Sequence, residues 1–197
     1  MKNFQFALRA VGFVALAVFM SSASCELFQN AEDLSFTALL DHEFTINEEL
    51  DQESGKAYAS KPEDEVLDAA KVNADFAQHA DKIEDIKINK VTYILSGYSS
   101  KYPNISFSSG TLTFSDPDAT NASGAIIVDY NVANLQSLSS SGEEIELAVN
   151  QTGTDAISAL LKEHKKVRIH VAGNLSSVPL YLKVKLKLDC TLKARAL

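Results

Sequence analysis

The sequence predicts a mainly β protein: a single antiparallel β-sandwich or open barrel of about seven to nine strands with one or two short helices. Over residues 180–194 every second residue is apolar and the residues between them are mostly polar. Only a strand sorts that pattern onto two clean faces. Shorter alternating stretches recur along the chain between turn residues. Strands and helices do not alternate in the way that builds a parallel sheet.

The last strand, residues 179–197, is the longest predicted element, with one apolar face and one basic face. A strand of that length needs a long partner to pair its backbone groups. The alternating stretch over residues 34–46 is the first candidate partner. The basic face is predicted to meet acidic residues on neighbouring strands, and binding of anionic headgroups or glycans is the alternative. Its cations are Lys183, Lys185, Lys187, Lys193 and Arg195.

A helix is predicted to begin at residues 60–63, where a serine, a proline in the first turn and a glutamate three residues after the serine form a capping-box pattern. Small apolar residues then recur at helical spacing as far as Ala80. The strand that follows, residues 86–95, changes parity in its middle. That change predicts a β-bulge near Asn89 and Lys90.

The remaining elements are predicted from shorter patterns. A hairpin turn is expected near Ser109 and Gly110. Strands are expected over residues 126–132, 145–149 and 167–171. Thr154 is predicted to cap a short helix that ends near His164, where lysines complement the helix dipole.

Residues 1–24 have the layout of a secretory signal peptide, with a basic start, an apolar run and small residues before Cys25. The apolar run is too short for a comfortable membrane-spanning helix. The motif Ser22-Ala23-Ser24-Cys25 resembles the lipobox of bacterial lipoproteins, with Ser22 where that family prefers leucine, and it looks like the Ser-rich boxes of Bacteroidetes. The resemblance implies a lipid anchor at Cys25 in the cell envelope, and Glu26 implies sorting to the outer membrane.

These expectations divide the chain into a signal peptide (residues 1–24), a lipidated cysteine with a tether (residues 25–33) and one β-sandwich domain (residues 34–197). Cys190 falls in the apolar register of the last strand and is predicted to be a buried small hydrophobe. The alternative to lipidation is plain secretion with cleavage near Ala23. In that case a disulfide between Cys25 and Cys190 becomes possible.

The composition narrows the class of function. The formal net charge is −8, which argues against nucleic-acid binding. The four histidines are scattered among different elements, and the chain has no nucleophile elbow, zinc-protease motif or phosphate-binding loop. We therefore predict a protein that is not an enzyme and that has no cofactor and no metal site. A hydrolase with an unrecognised site is the less favoured alternative.

Two loops are candidate sites. Tyr98, Lys101, Tyr102 and Asn104 are candidate ligand-binding residues, since two tyrosines beside polar groups can form a stacking platform for a sugar ring; the alternative is that the tyrosines pin the loop onto the core. Residues 116–121 offer oxygen ligands at alternate positions, as calcium loops do. The alternative there is an Asp-Pro turn whose side chains bond to their own backbone.

One resemblance concerns the domain. A strand, a helix near residues 154–164, the stretch KVRIHVAGNL, a proline and a final strand are faintly similar to the end of LEA14-like (WHy) β-sandwiches. The Asn-Pro-Asn signature of that family is missing, because Asn131-Val132-Ala133-Asn134 stands in its place. The predicted function is a non-catalytic binding or accessory module of the cell envelope, with a glycan or an envelope protein as its partner. A structural or protective role of LEA14-like type is the alternative.

Overall fold

The computed structural model describes residues 33–52, 58–60, 63–119 and 126–195. Nine strands within these residues form two sheets, which confirms the predicted mainly β, antiparallel sandwich. Residues 35–194 belong to one compact unit. The predicted signal peptide and the predicted lipidation site at Cys25 lie outside the described residues.

The first sheet has four strands in the order β1-β9-β4-β7. Strand β1 spans Leu34–Gln52, β4 Ile83–Ser99, β7 Glu144–Glu146 and β9 Val178–Ala194. Strand β9 is therefore an inner strand, and β1 is the long partner that its length required. The predicted strand at residues 145–149 is shorter than expected, since only Glu144–Glu146 pairs with β4.

The second sheet has five strands. It contains β2 (Tyr58–Ala59), β3 (Glu63–Asp68), β5 (Phe107–Ser115), β6 (Ile126–Val132) and β8 (Lys166–Leu175). Strand β8 pairs with β5 on one side, and on its other side with β2 and β3. Strand β6 continues the sheet beyond β5.

The core lies between the sheets, and β9 contributes most regularly to it. Alternate residues of β9 are buried, as the sequence pattern predicts. Burying a leucine side chain stabilises the fold by about 1.5–3 kcal/mol relative to leaving it exposed. Cys190 is fully buried, as predicted, and burial raises the pKa of its thiol to about 12. The buried residues of β9 are Val178, Leu180, Leu182, Val184, Leu186, Leu188, Cys190, Leu192 and Ala194.

The predicted bulge in β4 is confirmed. Ile88 pairs with Cys190, whereas the next pair joins Lys90 to Asp189, so Asn89 is the extra residue. The Asn89 amide donates hydrogen bonds to the side chains of Asp189 (3.3 Å) and Thr191 (3.0 Å) on β9. Because of the extra residue, the apolar residues of β4 before and after Asn89 lie on the same buried face of the sheet.

Four α-helices occur in the described residues, rather than the one or two predicted. They are α1 (Ala69–Val72), α2 (Ala74–His79), α3 (Leu135–Ser141) and α4 (Gln151–His164), and a 3-10 turn follows α2 at Ala80–Lys82. None of the helices in this part of the chain is long and apolar enough to cross a bilayer.

The helix predicted from residue 60 was wrong in its first half. Strand β3 occupies Glu63–Asp68 and pairs with six residues of β8. Ser60 does not cap a helix, because its amide and its hydroxyl both donate to the carbonyl of Gly173 on β8. Pairing with a distant strand thus overrides the local capping pattern. Helical structure begins later, and Asn73 caps α2 through a 2.8 Å bond from the Phe76 amide.

The predicted hairpin at Ser109 and Gly110 was also wrong. Strand β5 continues through both residues, and its registers with β6 and β8 slip there by one residue, which makes a bulge. Ser109 has a φ of 48°, a left-handed conformation that bulges accommodate. The predicted cap of the last helix is corrected as well: Asn150, not Thr154, accepts the Gly153 amide at 2.8 Å and begins α4.

Candidate functional site

The candidate site surrounds helix α3. Asn134 caps this helix by accepting the Ser137 amide at 2.9 Å, and Gly142 ends it with a φ of 62°. The buried side chain of Leu135 holds the helix on the domain, and its amide donates to the Ile105 carbonyl at 2.9 Å. These contacts fix α3 against the domain, so it forms a rigid wall of the groove beside it.

An open groove of about 380 Å³ runs between α3, the end of β6 and the edge of the first sheet. Its polar groups are two amides, two hydroxyls and a carboxylate, and its apolar wall includes Leu138 and Ile145. A lining that mixes donors and acceptors suits a ligand with many hydroxyl groups, because each hydroxyl of the ligand can both donate and accept a hydrogen bond. The polar lining residues are Asn131, Asn134, Ser137, Ser141 and Glu143.

Tyr93 forms the aromatic part of the groove. Its ring lies 6.3 Å from that of Tyr130, centroid to centroid. Burial raises the pKa of Tyr93, and the nearby negative charge of Glu143 raises it further. Burial also raises the pKa of Tyr130, with a smaller effect from Tyr93. Both phenols therefore remain protonated at neutral pH.

The loop that carries the four predicted ligand-binding residues lies next to this groove. The Tyr98 hydroxyl donates to the Tyr102 carbonyl at 2.7 Å, and the Lys101 ammonium lies 5.0 Å from the centre of the Tyr102 ring. Asn104, with a φ of 59°, accepts a 2.8 Å hydrogen bond from the amide of Asn134, the cap of α3. The fold thus brings all four residues together, with Tyr98 at the end of β4 and the other three in the loop that follows, and Asn104 joins this loop to the groove.

The two tyrosine rings of this loop do not stand out as a flat platform. Both Tyr98 and Tyr102 are half-buried against the core. The backbone amide of Tyr98 donates to Ser139 on α3 at 3.2 Å. These contacts fix the loop, so Lys101 and Asn104 are its exposed polar groups.

Sequence reasoning missed the groove residues Asn134, Ser137 and Glu143. The available signal was an asparagine just before Leu135, which is typical of a helix start. Nothing in the local sequence indicates that this helix lies beside Tyr93, because that contact joins segments some 40 residues apart.

The void between the two sheets is not a ligand site. It measures about 40 Å³, has almost wholly apolar walls and is lined by core side chains such as Phe44, Leu112 and Leu186. Pockets that hold organic ligands measure about 300–1,000 Å³. This void is therefore a packing defect of the core.

The basic face of β9 meets acidic residues, as predicted. Lys183 pairs with Glu43 at 3.2 Å and Lys185 with Asp41 at 2.5 Å, both on β1. Lys187 pairs with Glu144 on β7 at 2.6 Å. These three lysines are therefore neutralised within the sheet.

The Asp-Pro turn weighed against a calcium loop is present. Asp116 accepts the Asp118 amide at 2.8 Å through its side chain and the Ala119 amide at 3.2 Å through its carbonyl. Asn121, the last oxygen donor of the proposed calcium loop, lies outside the described residues.

Comparisons with known proteins do not show a family. No protein-family model and no curated protein matches the chain. Among solved structures, a protein of Desmodium yellow mottle tymovirus is 12% identical, with a TM-score of 0.34 over 82% of this chain and 90% of that one. The decameric BFDV capsid protein is 13% identical, with a TM-score of 0.36 over 82% of this chain and 99% of that one. Similarity at this level carries no argument about function.

Proposed function

We propose that the protein is an exported cell-envelope lipoprotein, anchored through Cys25, which acts as a non-catalytic binding module. The observation that carries the binding role is the groove beside α3, where amide, hydroxyl, carboxylate and phenol groups converge next to the loop of residues 98–104. The anchor is supported by the sequence of residues 1–25 alone.

The proposed ligand is a neutral or weakly charged glycan. Its hydroxyls would bond to the exposed side chains of Asn131, Ser137 and Glu143, which line the groove. Lys101 and Asn104 extend the same polar surface beyond the groove. A ligand rich in hydroxyl groups matches this lining better than an apolar one does.

A binding measurement tests the groove. The purified protein is titrated with a panel of soluble neutral oligosaccharides, alongside the variants Ser137→Ala and Glu143→Gln. Each variant is expected to weaken binding at least about tenfold, because it leaves a polar group of the bound ligand without its partner. Ser140→Ala on the same helix is the matched control, since Ser140 is exposed and does not line the groove. Equal affinities for all four proteins, or no binding to any oligosaccharide, contradict the proposed role and favour a structural one.

A mass measurement tests the anchor. The intact mass of the mature protein, taken from membranes of its native host, is expected to equal residues 25–197 plus a diacylglyceryl group. A Cys25→Ser variant should then lose its membrane association. A soluble and unacylated product would instead identify a secreted protein.

A further inference from the structure

Three potential metal ligands converge where the loop after β5 meets the end of α4. Asp116 and Asp118 lie in the loop, and His164 is the last residue of the helix. One donor atom from each lies within 4.8 Å of the other two. The Nε2 atom of His164 is 3.9 Å from Asp116 Oδ1 and 3.8 Å from Glu163 Oε2.

We infer that Asp116, Asp118 and His164 bind a divalent transition-metal ion, for which Zn²⁺ is the best fit. One imidazole nitrogen with two carboxylates is a zinc-type donor set, whereas calcium takes six to eight oxygens. In a tetrahedral zinc site the ligand atoms lie about 3.3–3.6 Å apart. The present separations therefore need to close by no more than about 1.5 Å. A metal site at these three residues differs from the sequence-based expectation of no metal site.

The framework holds both sides of this site in place. The Asp118 amide bonds to Asp116, which fixes the turn. Arg168 on β8 donates to the Pro117 carbonyl at 2.6 Å and pairs with Asp64 at 2.8 Å, so it ties the turn to the sheet. On the other side, the Lys165 amide bonds to the Leu161 carbonyl at 3.0 Å and closes α4 directly after His164. Little of the backbone has to be ordered when a metal binds.

The charges around the site favour a cation. Asp116, Asp118 and Glu163 place three carboxylates around one imidazole. Of the nearby cations, Arg168 pairs with Asp64, Lys166 pairs with Asp68, and the Lys165 ammonium donates to the Lys162 carbonyl. A divalent ion would offset the repulsion between the two aspartates more effectively than solvent does.

Two buried polar atoms lie without a partner in the strands that flank this loop. Ser115 and Arg168 are opposite each other on β5 and β8. Ser115 is 4% exposed, and within the described part of the chain neither its Oγ nor the Nε of Arg168 has a hydrogen-bond partner. Buried polar atoms are normally paired, and because a guanidinium nitrogen only donates, the group that Arg168 requires beside it is an acceptor such as a water molecule, not the metal ion.

A Zn²⁺ titration followed by calorimetry tests the inference on the full chain, purified without a histidine tag. One ion per chain is expected. Loss of a group that only supports a ligand already weakens metal binding about 10–100-fold. The direct-ligand variants Asp118→Asn and His164→Gln are therefore expected to weaken it at least about 100-fold. Asp129→Asn and His170→Gln, which change the same residue types on β6 and β8, should bind as the unaltered chain does.

A second measurement keeps the test decisive if a variant fails to fold. Zn²⁺ is added to the unaltered protein and the imidazole nitrogens are followed by NMR. The Nε2 signal of His164 should shift at one equivalent, and those of His42, His79 and His170 should not. Absence of Zn²⁺ binding, equal binding by all the variants, or a preference for Ca²⁺ over Zn²⁺ would overturn the inference.

Discussion

Among the described glycines, Gly173 is the one where an added methyl group would make the shortest steric contact. It lies on β8 opposite the bulge of β5, and the ring of Phe107 covers it. A Cβ atom built on Gly173 would lie 2.2 Å from Phe107 Cζ and 2.3 Å from Cε1. Non-bonded carbons prefer about 3.5–4.0 Å, so the ring or β8 would have to move by more than about 1 Å.

The Phe107 ring has little freedom to move. It is 2% exposed and stacks on Tyr130 at 5.3 Å between centroids. A Cβ atom on Gly110 would meet the same ring at 2.5 Å. Overpacking of this kind costs about 1–3 kcal/mol, whereas glycine to alanine in a strand otherwise gains about 0.5–1 kcal/mol. We expect Gly173→Ala to lower the free energy of unfolding by about 1–2 kcal/mol.

Urea unfolding of four proteins tests this expectation: the unaltered chain, Gly173→Ala, Phe107→Ala and the double variant. Phe107→Ala alone should cost about 3–5 kcal/mol. In its background, Gly173→Ala should be neutral or stabilising, because the ring that it would meet is gone, and the coupling energy should be about 2 kcal/mol. An equal cost of Gly173→Ala in both backgrounds would refute the reasoning.

Three further predictions concern a charge, a thiol and a helix cap. Hydrogen bonds from Lys187 and Thr92 lower the pKa of Glu144 in the folded protein. The carboxylate therefore stabilises the fold above its unfolded-state pKa, and this stabilisation is lost as the pH falls through its folded-state pKa. Glu144→Gln should lower the urea midpoint at neutral pH and leave it unchanged in acid. Burial raises the pKa of Cys190 to about 12, so in a Cys25→Ser variant its thiol should react with a thiol reagent only after unfolding. Asn150→Ala removes the 2.8 Å cap bond of α4 and should lower the free energy of unfolding by about 1 kcal/mol, measured by urea unfolding.

The elements that the sequence predicted best are those whose burial pattern is regular. Strand β9, its long partner β1 and the Asn89 bulge were all predicted from the alternation of apolar and polar residues, because a strand with one buried face places every second side chain in the core. The errors arose where distant pairing decided the structure. Glu63–Asp68 carries a helix-start pattern yet lies against β8, which follows it in the chain by about 100 residues.

The candidate site was only partly predictable for the same reason. Tyr98, Lys101, Tyr102 and Asn104 are close in sequence, so a loop containing them could be identified directly. The groove beside that loop depends on how α3 packs near Tyr93, which no local pattern encodes. The three candidate metal ligands were only partly predictable for the same reason. The sequence indicates a turn at the two aspartates, whereas His164 comes close to them only because α4 packs beside that turn.

The position of β9 inside the first sheet has a consequence for how the chain folds. Strands β1 and β4 are both synthesised before β9, and they do not pair with each other, because β9 lies between them and pairs with both. Ribosomal synthesis therefore produces two long apolar-faced strands well before the strand that joins them. A chain with such distant contacts folds slowly, and its sheet remains incomplete until β9 has been synthesised. A nascent chain of this design stays unfolded for longer, and so remains accessible to chaperones and other factors that act on unfolded polypeptides.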